Sequence, residues 1–285
     1  MIEGTPAIVP TTALEAVARA EIDIQVATAK RYPREVARAV ARAVEMATAS
    51  PDIAAQCFYV LKRKDNRTGK VTTIEGPSIR LAEIFACTWG NLAYGFRAIA
   101  DDGRAVVLEG VCVDYETNLR CTKQVRRNVL DRNGRRLSED LVTVTTMAAG
   151  SIGCRNAIFG VIPGVYVEEA LRAAKHTAVG VATSVIIRRD KALAYFAKLG
   201  IEEARVLGVL GRETVDAITD EDVATLLGLA TAIRDGESTV EQAFPPLAPP
   251  AGSAASATAE AGSRADALAH ELAGAAPPET TPETP

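Results

Sequence analysis

Residues 92–130, LAYGFRAIADDGRAVVLEGVCVDYETNLRCTKQVRRNVL, decide how this chain folds. Apolar residues alternate through three segments, Leu92–Ala100, Arg104–Tyr115 and Leu119–Leu130. Asp101-Asp102-Gly103 and Glu116-Thr117-Asn118 separate them. Short polar breaks between alternating segments favour antiparallel hairpins. A polar loop, Asp131-Arg132-Asn133-Gly134, leads to a run of small residues from Val144 to Phe159 with Met147, Ile152 and Ile158 as apolar anchors. The pattern predicts β-β-β-α: an antiparallel meander with one helix on its apolar face, in an α+β fold. The third strand carries Arg120, Lys123, Arg126 and Arg127, and the next loop adds Arg132, Arg135 and Arg136. Side chains alternate across a strand. Arg120, Thr122, Gln124 and Arg126 therefore form one row, which faces outward with a positive field. Lys123 and Arg127 share the other row with Val125 and Val129, at its wet end or snorkelling.

Before the meander, residues 1–12 are a loose arm and Ala13–Ala29 a helix that packs on its own core or on a second subunit. Pro33 opens a helix to about Ala49, with Arg34, Arg38 and Arg42 on one face. That stripe reads first as a solvated face paired with Glu35 and Glu45. Ser50-Pro51 closes the helix. Gln56–Arg63 and Lys70–Glu75 form a β-hairpin, basic through Lys62, Arg63, Lys64, Arg67 and Lys70. Glu75-Gly76-Pro77-Ser78 then leads into a helix from Ile79 to about Thr88. Arg80, in its first turn, either helps the helix N-terminus hold a phosphate or pairs with a carboxylate. Trp89 reads as a core anchor.

After Gly160, Tyr166–Ala178 forms a short helix and Gly180–Ser184 a linker. Arg188–Leu199, Ile201–Leu210, Val215–Ile218 and Asp220–Arg234 make a small helical module set off by a hinge. From Pro245 the chain turns to Pro, Ala, Gly, Ser and Thr and cannot bury enough apolar surface to order itself. Four parts result: arm and first helix (1–33), α+β core (34–180), helical module (185–244) and acidic, disordered tail (245–285).

The formal charge of −4 conceals an asymmetry. Residues 1–200 hold 28 Lys+Arg against 21 Asp+Glu, and residues 201–285 hold 4 against 15. A basic working region with an acidic C-terminal part fits a polyanionic partner. Cys57, Cys87, Cys112, Cys121 and Cys154 lie in apolar patterns with no C-x-x-C pair and read as reduced core thiols. No apolar run reaches the roughly 20 residues of a membrane span, and Met1-Ile2-Glu3-Gly4 lacks a secretory start. The expectation is a cytoplasmic protein.

Catalytic patterns are scarce. With His270 in the tail and His176 isolated, neither a zinc site nor a histidine-activated nucleophile can be assembled from the sequence. No phosphate-binding loop of the P-loop or dinucleotide type is present. Asp114 and Glu116 have the D-x-E spacing of a Mg²⁺ pair in a nuclease, although turn chemistry explains them better. Arg155, among Gly153, Cys154 and Ala157, needs a phosphate or a carboxylate if buried. The sequence leaves both open.

The hairpin and helix from Cys57-Phe58-Tyr59-Val60 through Glu75-Gly76-Pro77-Ser78-Ile79-Arg80-Leu81-Ala82-Glu83-Ile84 resemble the phage single-strand annealing proteins of the RecT/Redβ group. Met147–Phe159, with Cys154 and Arg155, resembles that group's small-residue, Arg-bearing helix, and Tyr166-Val167-Glu168-Glu169-Ala170 the acidic helix after it. A more distant likeness is to the Rad-type eukaryotic annealing proteins. The likeness covers about residues 50–180, and Pro77-Ser78 departs from the group's usual turn. The resemblance implies an ATP-independent protein of DNA recombination and repair that binds single-stranded DNA, pairs complementary strands into an annealed duplex and assembles into rings or helical filaments. It also implies a C-terminal part that recruits an exonuclease or a single-strand-binding protein. No cofactor is expected beyond Mg²⁺ as a counterion. The candidate DNA contacts are Lys62, Arg63, Arg80, Lys123, Arg126, Arg127, Arg135, Arg136 and Arg155, with Tyr59 to stack a base. The competing readings are a scaffold for an acidic partner and the Mg²⁺-dependent nuclease.

Overall fold

The computed structural model describes residues 11–64, 67–68, 71–131, 133–179 and 185–246. Outside these lie part of the basic hairpin tip, Arg132, the linker and nearly all of the tail. The expected α+β architecture is present, with two separate antiparallel sheets. The first pairs β1 (Phe58–Lys64) with β2 (Val71–Pro77), Tyr59 opposite Gly76. The second is the meander β3 (Leu92–Asp101), β4 (Ala105–Asp114) and β5 (Leu119–Asn128), in that spatial order. Its strand limits follow the alternation, with a bulge between Ala98 and Ala100. Along β4, Val106, Leu108, Gly110, Cys112 and Asp114 are buried while Val107, Glu109, Val111 and Val113 are half-exposed.

The first helix, α1 (Thr11–Arg31), runs two residues past its expected ends and is exposed along most of its length. α2 (Val36–Ala47) starts three residues after Pro33. The delay has a tertiary cause: the Arg34 amide donates to the Glu116 carboxylate at 2.9 Å, and Glu35 stays extended. Ser50-Pro51 closes no helix in isolation. It opens another, α3 (Pro51–Ala55), with the Ser50 hydroxyl accepting from the Ile53 amide. α4 (Ile79–Trp89) is capped by Ser78, which accepts from the Arg80 and Leu81 amides.

The covering helix α5 (Glu139–Ile158) begins five residues before Val144, with Glu139 and Asp140 in its first turn, where negative charge suits the helix dipole. It lies across the buried row of β4. Val106, Leu108, Val129, Val142 and Ala149 fill the space near its start, while Cys112, Cys154 and Ile158 join the main core with α2, α4 and α6 (Gly164–Val179). In the middle there is no side chain at all: a Cβ on Gly110 would stand 2.0 Å from the Gly153 carbonyl carbon. Burial pushes the Cys112 thiol up to about 12 and those of Cys57 and Cys154 up to about 11, so these thiols are poor nucleophiles. Cys87 departs from the expected core placement and is exposed.

The remaining helices are α7 (Val185–Lys198), α8 (Glu203–Leu210), α9 (Asp220–Arg234) and a short α10 (Val240–Ala243), with a 3-10 turn at Val215–Ala217. They do not stand off on a hinge. Val60 of β1 belongs to their core with Phe196, Leu226, Leu229 and Phe244, and Gly228 of α9 meets the Val60 side chain directly. The Thr231 hydroxyl adds a 3.0 Å hydrogen bond to the Ala55 carbonyl. No described helix is long and apolar enough to cross a membrane.

Gly110→Ala forces two backbones apart and is expected to destabilise the chain by about 3 kcal/mol, the upper end of ordinary overpacking. Gly95→Ala, with open space around it, is expected to stay within about 0.5 kcal/mol. Urea unfolding of both variants checks the contrast, and equal midpoints would remove the close contact as an organising feature.

Candidate nucleic-acid interface

The register assigns the basic side chains to two faces. Val107 pairs with Arg126, Glu109 with Gln124, Val111 with Thr122 and Val113 with Arg120, so the expected row of β5 occupies the sheet face opposite α5. Arg97 of β3 lies on the same face, bonded to Glu109 at 2.6 Å. That bond, which outweighs partial desolvation, holds the Glu109 carboxyl below its usual range. The β3–β4 turn supplies two further acids: Asp102 pairs with Arg126 at 3.0 Å and Asp101 with Arg136 at 2.7 Å. Exposed pairs of this kind contribute about 0–1 kcal/mol, so an incoming polyanion can exchange them. Arg104, Arg120 and Arg135 are exposed and form no ion pair among the described residues.

The opposite row of β5 carries Lys123 and Arg127. Lys123 is exposed beside the Gly110–Gly153 contact. Arg127 is half-buried and donates to the Gly236 carbonyl at 2.9 Å. Burial, then the Arg63 charge, lowers the Arg127 pKa. Lys62 and Arg63 end β1 without an ion pair among the described residues. Lys123 and Arg127 thus share one row of β5.

Three of the other expected contacts fall elsewhere. Arg155 is 7% exposed, pairs with Glu237 and lies 4.7 Å above the Tyr59 ring. Of the two readings left open for it, the internal ion pair holds. Tyr59 is accordingly covered by a guanidinium and offers no open platform for a base. Arg80 pairs with Glu83 at 2.9 Å and lines a different recess, with Met46, Ile53 and Cys87. The amides at that helix start are taken by Ser78, which removes the reason to place a phosphate there.

The strongest charged constellation was not among the expected contacts. Arg34 donates through both terminal nitrogens to Asp114, at 2.6 and 2.5 Å, and its guanidinium lies 5.0 Å from the Trp89 ring. Its Nε is 3.2 Å from Glu116, which also accepts from Asn91. Asp114 and Glu116 are therefore occupied by an arginine, which disposes of them as a poised Mg²⁺ pair. Burial acts to raise the Asp114 pKa, but the bonds from Arg34 and from the Glu116 amide outweigh it and hold the carboxyl below its usual range. Sequence carries little sign of this arrangement, because eighty residues separate the partners. The one local hint is that Arg34 directly follows Pro33.

No protein-family model, curated protein or solved structure matches the chain. The site therefore stands on its own chemistry: cations from a hairpin and a strand edge, with exchangeable pairs on the neighbouring face.

A carboxylate whose folded pKa is depressed stabilises the fold above its unfolded value, near 3.9, and that stabilisation disappears as pH falls through the folded value. Asp114→Ala is expected to cost about 3–5 kcal/mol at pH 7 by stranding Arg34. Asp114→Asn should flatten the acid limb of a stability–pH curve below about pH 4. Urea midpoints between pH 3 and 7 test both, and a wild-type curve in either variant refutes the anchor.

Proposed function

We propose that this chain is an ATP-independent single-stranded-DNA-binding and strand-annealing protein of the phage recombination type, acting in the cytoplasm of a bacterial host. The observation that carries the reading is Lys123 and Arg127 on one row of the outer strand of a β-β-β-α meander, with the Arg63 charge of the hairpin acting on Arg127. Such an edge grips phosphates by charge and makes no demand on base sequence, which annealing requires. The arginine row on the open sheet face, already paired with exchangeable acids, extends the positive surface.

Self-assembly belongs to the same proposal. α1 exposes Leu14, Val17, Ile22 and Ile24, each at least half accessible. A second apolar area comprises Leu141, Val144 and Met147 on α5 with Tyr94 and Phe96 on β3. Exposed apolar side chains gathered on one element mark interaction surfaces, and a ring or filament of like subunits would cover them. Ile187 and Tyr195 on α7, with Leu199 just after it, are exposed apolar side chains suited to an exonuclease or single-strand-binding partner.

Arg63→Ser and Lys123→Ser are each expected to weaken binding to any single-stranded oligonucleotide and to flatten its log–log salt slope by about 0.7 per lost contact. Arg155→Ala should lower the urea midpoint and leave that slope unchanged. Anisotropy of a labelled oligonucleotide between 50 and 300 mM salt provides the measurement, and unchanged slopes in both edge variants reject the interface. A Leu14→Ser/Val17→Ser/Ile24→Ser variant is expected to form smaller assemblies by light scattering, with or without DNA. Wild-type mass in that variant removes α1 from the contact.

A further inference from the structure

Cys112 of β4 and Cys121 of β5 stand directly opposite each other in the antiparallel register. Opposed residues project from the same face of a sheet, here the face that α5 covers, so the two thiols are neighbours. The Val129 amide donates to the Arg104 carbonyl at 2.9 Å. Counting along the ladder from that bond makes Cys112 and Cys121 a hydrogen-bonded pair, whose Cα atoms lie about 5.5 Å apart. A disulfide spans roughly 4.4–6.8 Å between Cα atoms, so the register already supplies the spacing. Both thiols are free in the structure, but their settings differ. Cys112 is fully buried, whereas Cys121 is half-exposed, its sulfur resting against Gly160 where a Cβ would collide with it. Cys57, Cys87 and Cys154 have no cysteine opposite them in any strand pairing.

We propose that Cys112 and Cys121 are a redox-modification site that closes into a reversible cross-strand disulfide, with hydrogen peroxide as the oxidant. The Cys121 thiolate attacks peroxide: a sulfur–oxygen bond forms, the oxygen–oxygen bond breaks, and the departing hydroxide takes up the thiol proton as water. The Cys112 sulfur then attacks the Cys121 sulfur. A sulfur–sulfur bond forms, the sulfur–oxygen bond breaks, and the hydroxide released takes the Cys112 proton. The pair of thiols is oxidised by two electrons, and one peroxide is reduced to two waters. Half-exposed Cys121 is the group an oxidant reaches first. Burial keeps Cys112 protonated, which makes the closing step slow. Opposed Cβ atoms start about 4.5–5.5 Å apart, wider than the roughly 3.5–4.5 Å of a relaxed bridge. Closure therefore draws the strands together and leaves a bond that is readily reduced, as suits a switch more than a staple. The inference is independent of the annealing reading.

Trypsin cuts after Arg104, Arg120 and Lys123, so the two cysteines fall on separate peptides, Ala105–Arg120 and Cys121–Lys123. The full, native chain is treated with hydrogen peroxide, the remaining thiols are alkylated, and a non-reduced digest is read by mass spectrometry. The expected product has lost two of its five thiols and shows these two peptides linked. Dithiothreitol should separate them and restore both thiols. Cys87→Ser is expected to leave the linked product undiminished, and Cys121→Ser to abolish it with no new linkage of Cys112. Oxygen added to Cys121 without linkage overturns the proposal, and so do five unchanged thiols. A bridge from Cys112 to Cys154, or a covalent dimer through Cys87 with this pair still reduced, overturns it as well.

Discussion

The backbones of β4 and α5 touch at Gly110 and Gly153, and the seating of the helix on the meander follows from that contact. A helix normally rests on a sheet through a layer of side chains. Here the layer is missing at its centre, so α5 sits deep against the middle strand with apolar packing at either end. Gly150 meets Phe96 on one flank and Gly160 meets the Cys121 sulfur on the other, which fixes the helix laterally as well. With one face closed so tightly, Lys123 and Arg127 are pushed to the rim of β5, and Arg120 and Arg126 take the open side.

The buried Arg34 has a comparable role at the opposite end of the sheet. It joins the α1–α2 junction, the β4–β5 turn and the last residue of α4 through one side chain. Removing two charges from water is costly, and the mutual attraction of a buried pair offsets this when the geometry is good. Both carboxylates, the indole ring and the Asn91 amide take part. Arg155 does the same for the C-terminal helices, where Glu237 and the Tyr59 ring hold its guanidinium between hairpin and meander. In this chain, buried arginines fasten layers together and exposed ones face solvent.

How much of this was legible in the sequence depended on the range of the interactions. The meander could be read because alternation and turn residues are local, and the outward row of β5 followed from parity alone. The α2 start could not, since a contact from Arg34 to a turn eighty residues away overrides the helix signal of Pro33. The early start of α5 was obscured because Ser138-Glu139-Asp140 continues a polar loop in composition while acting as a helix entry. The docking of α9 on β1 depends on Gly228, whose value as a gap for Val60 is invisible until the two elements are side by side. For the candidate site, charge type was legible and charge partnership was not: Arg63 and Arg155 look alike in sequence, and only one is available to a ligand.

β3 and β5 are both outer strands of their sheet, hydrogen-bonded to no further strand among the described residues. An unpaired rim is a template for uncontrolled pairing with another chain. The ladder of β3 is interrupted by its bulge, whereas β5 runs in unbroken register over ten residues and has only its cations as protection. Electrostatic repulsion between like rims opposes such pairing. The positive charge of β5 therefore acts as a guard against amyloid-like stacking, and a β5 stripped of it would trade solubility for a sticky edge.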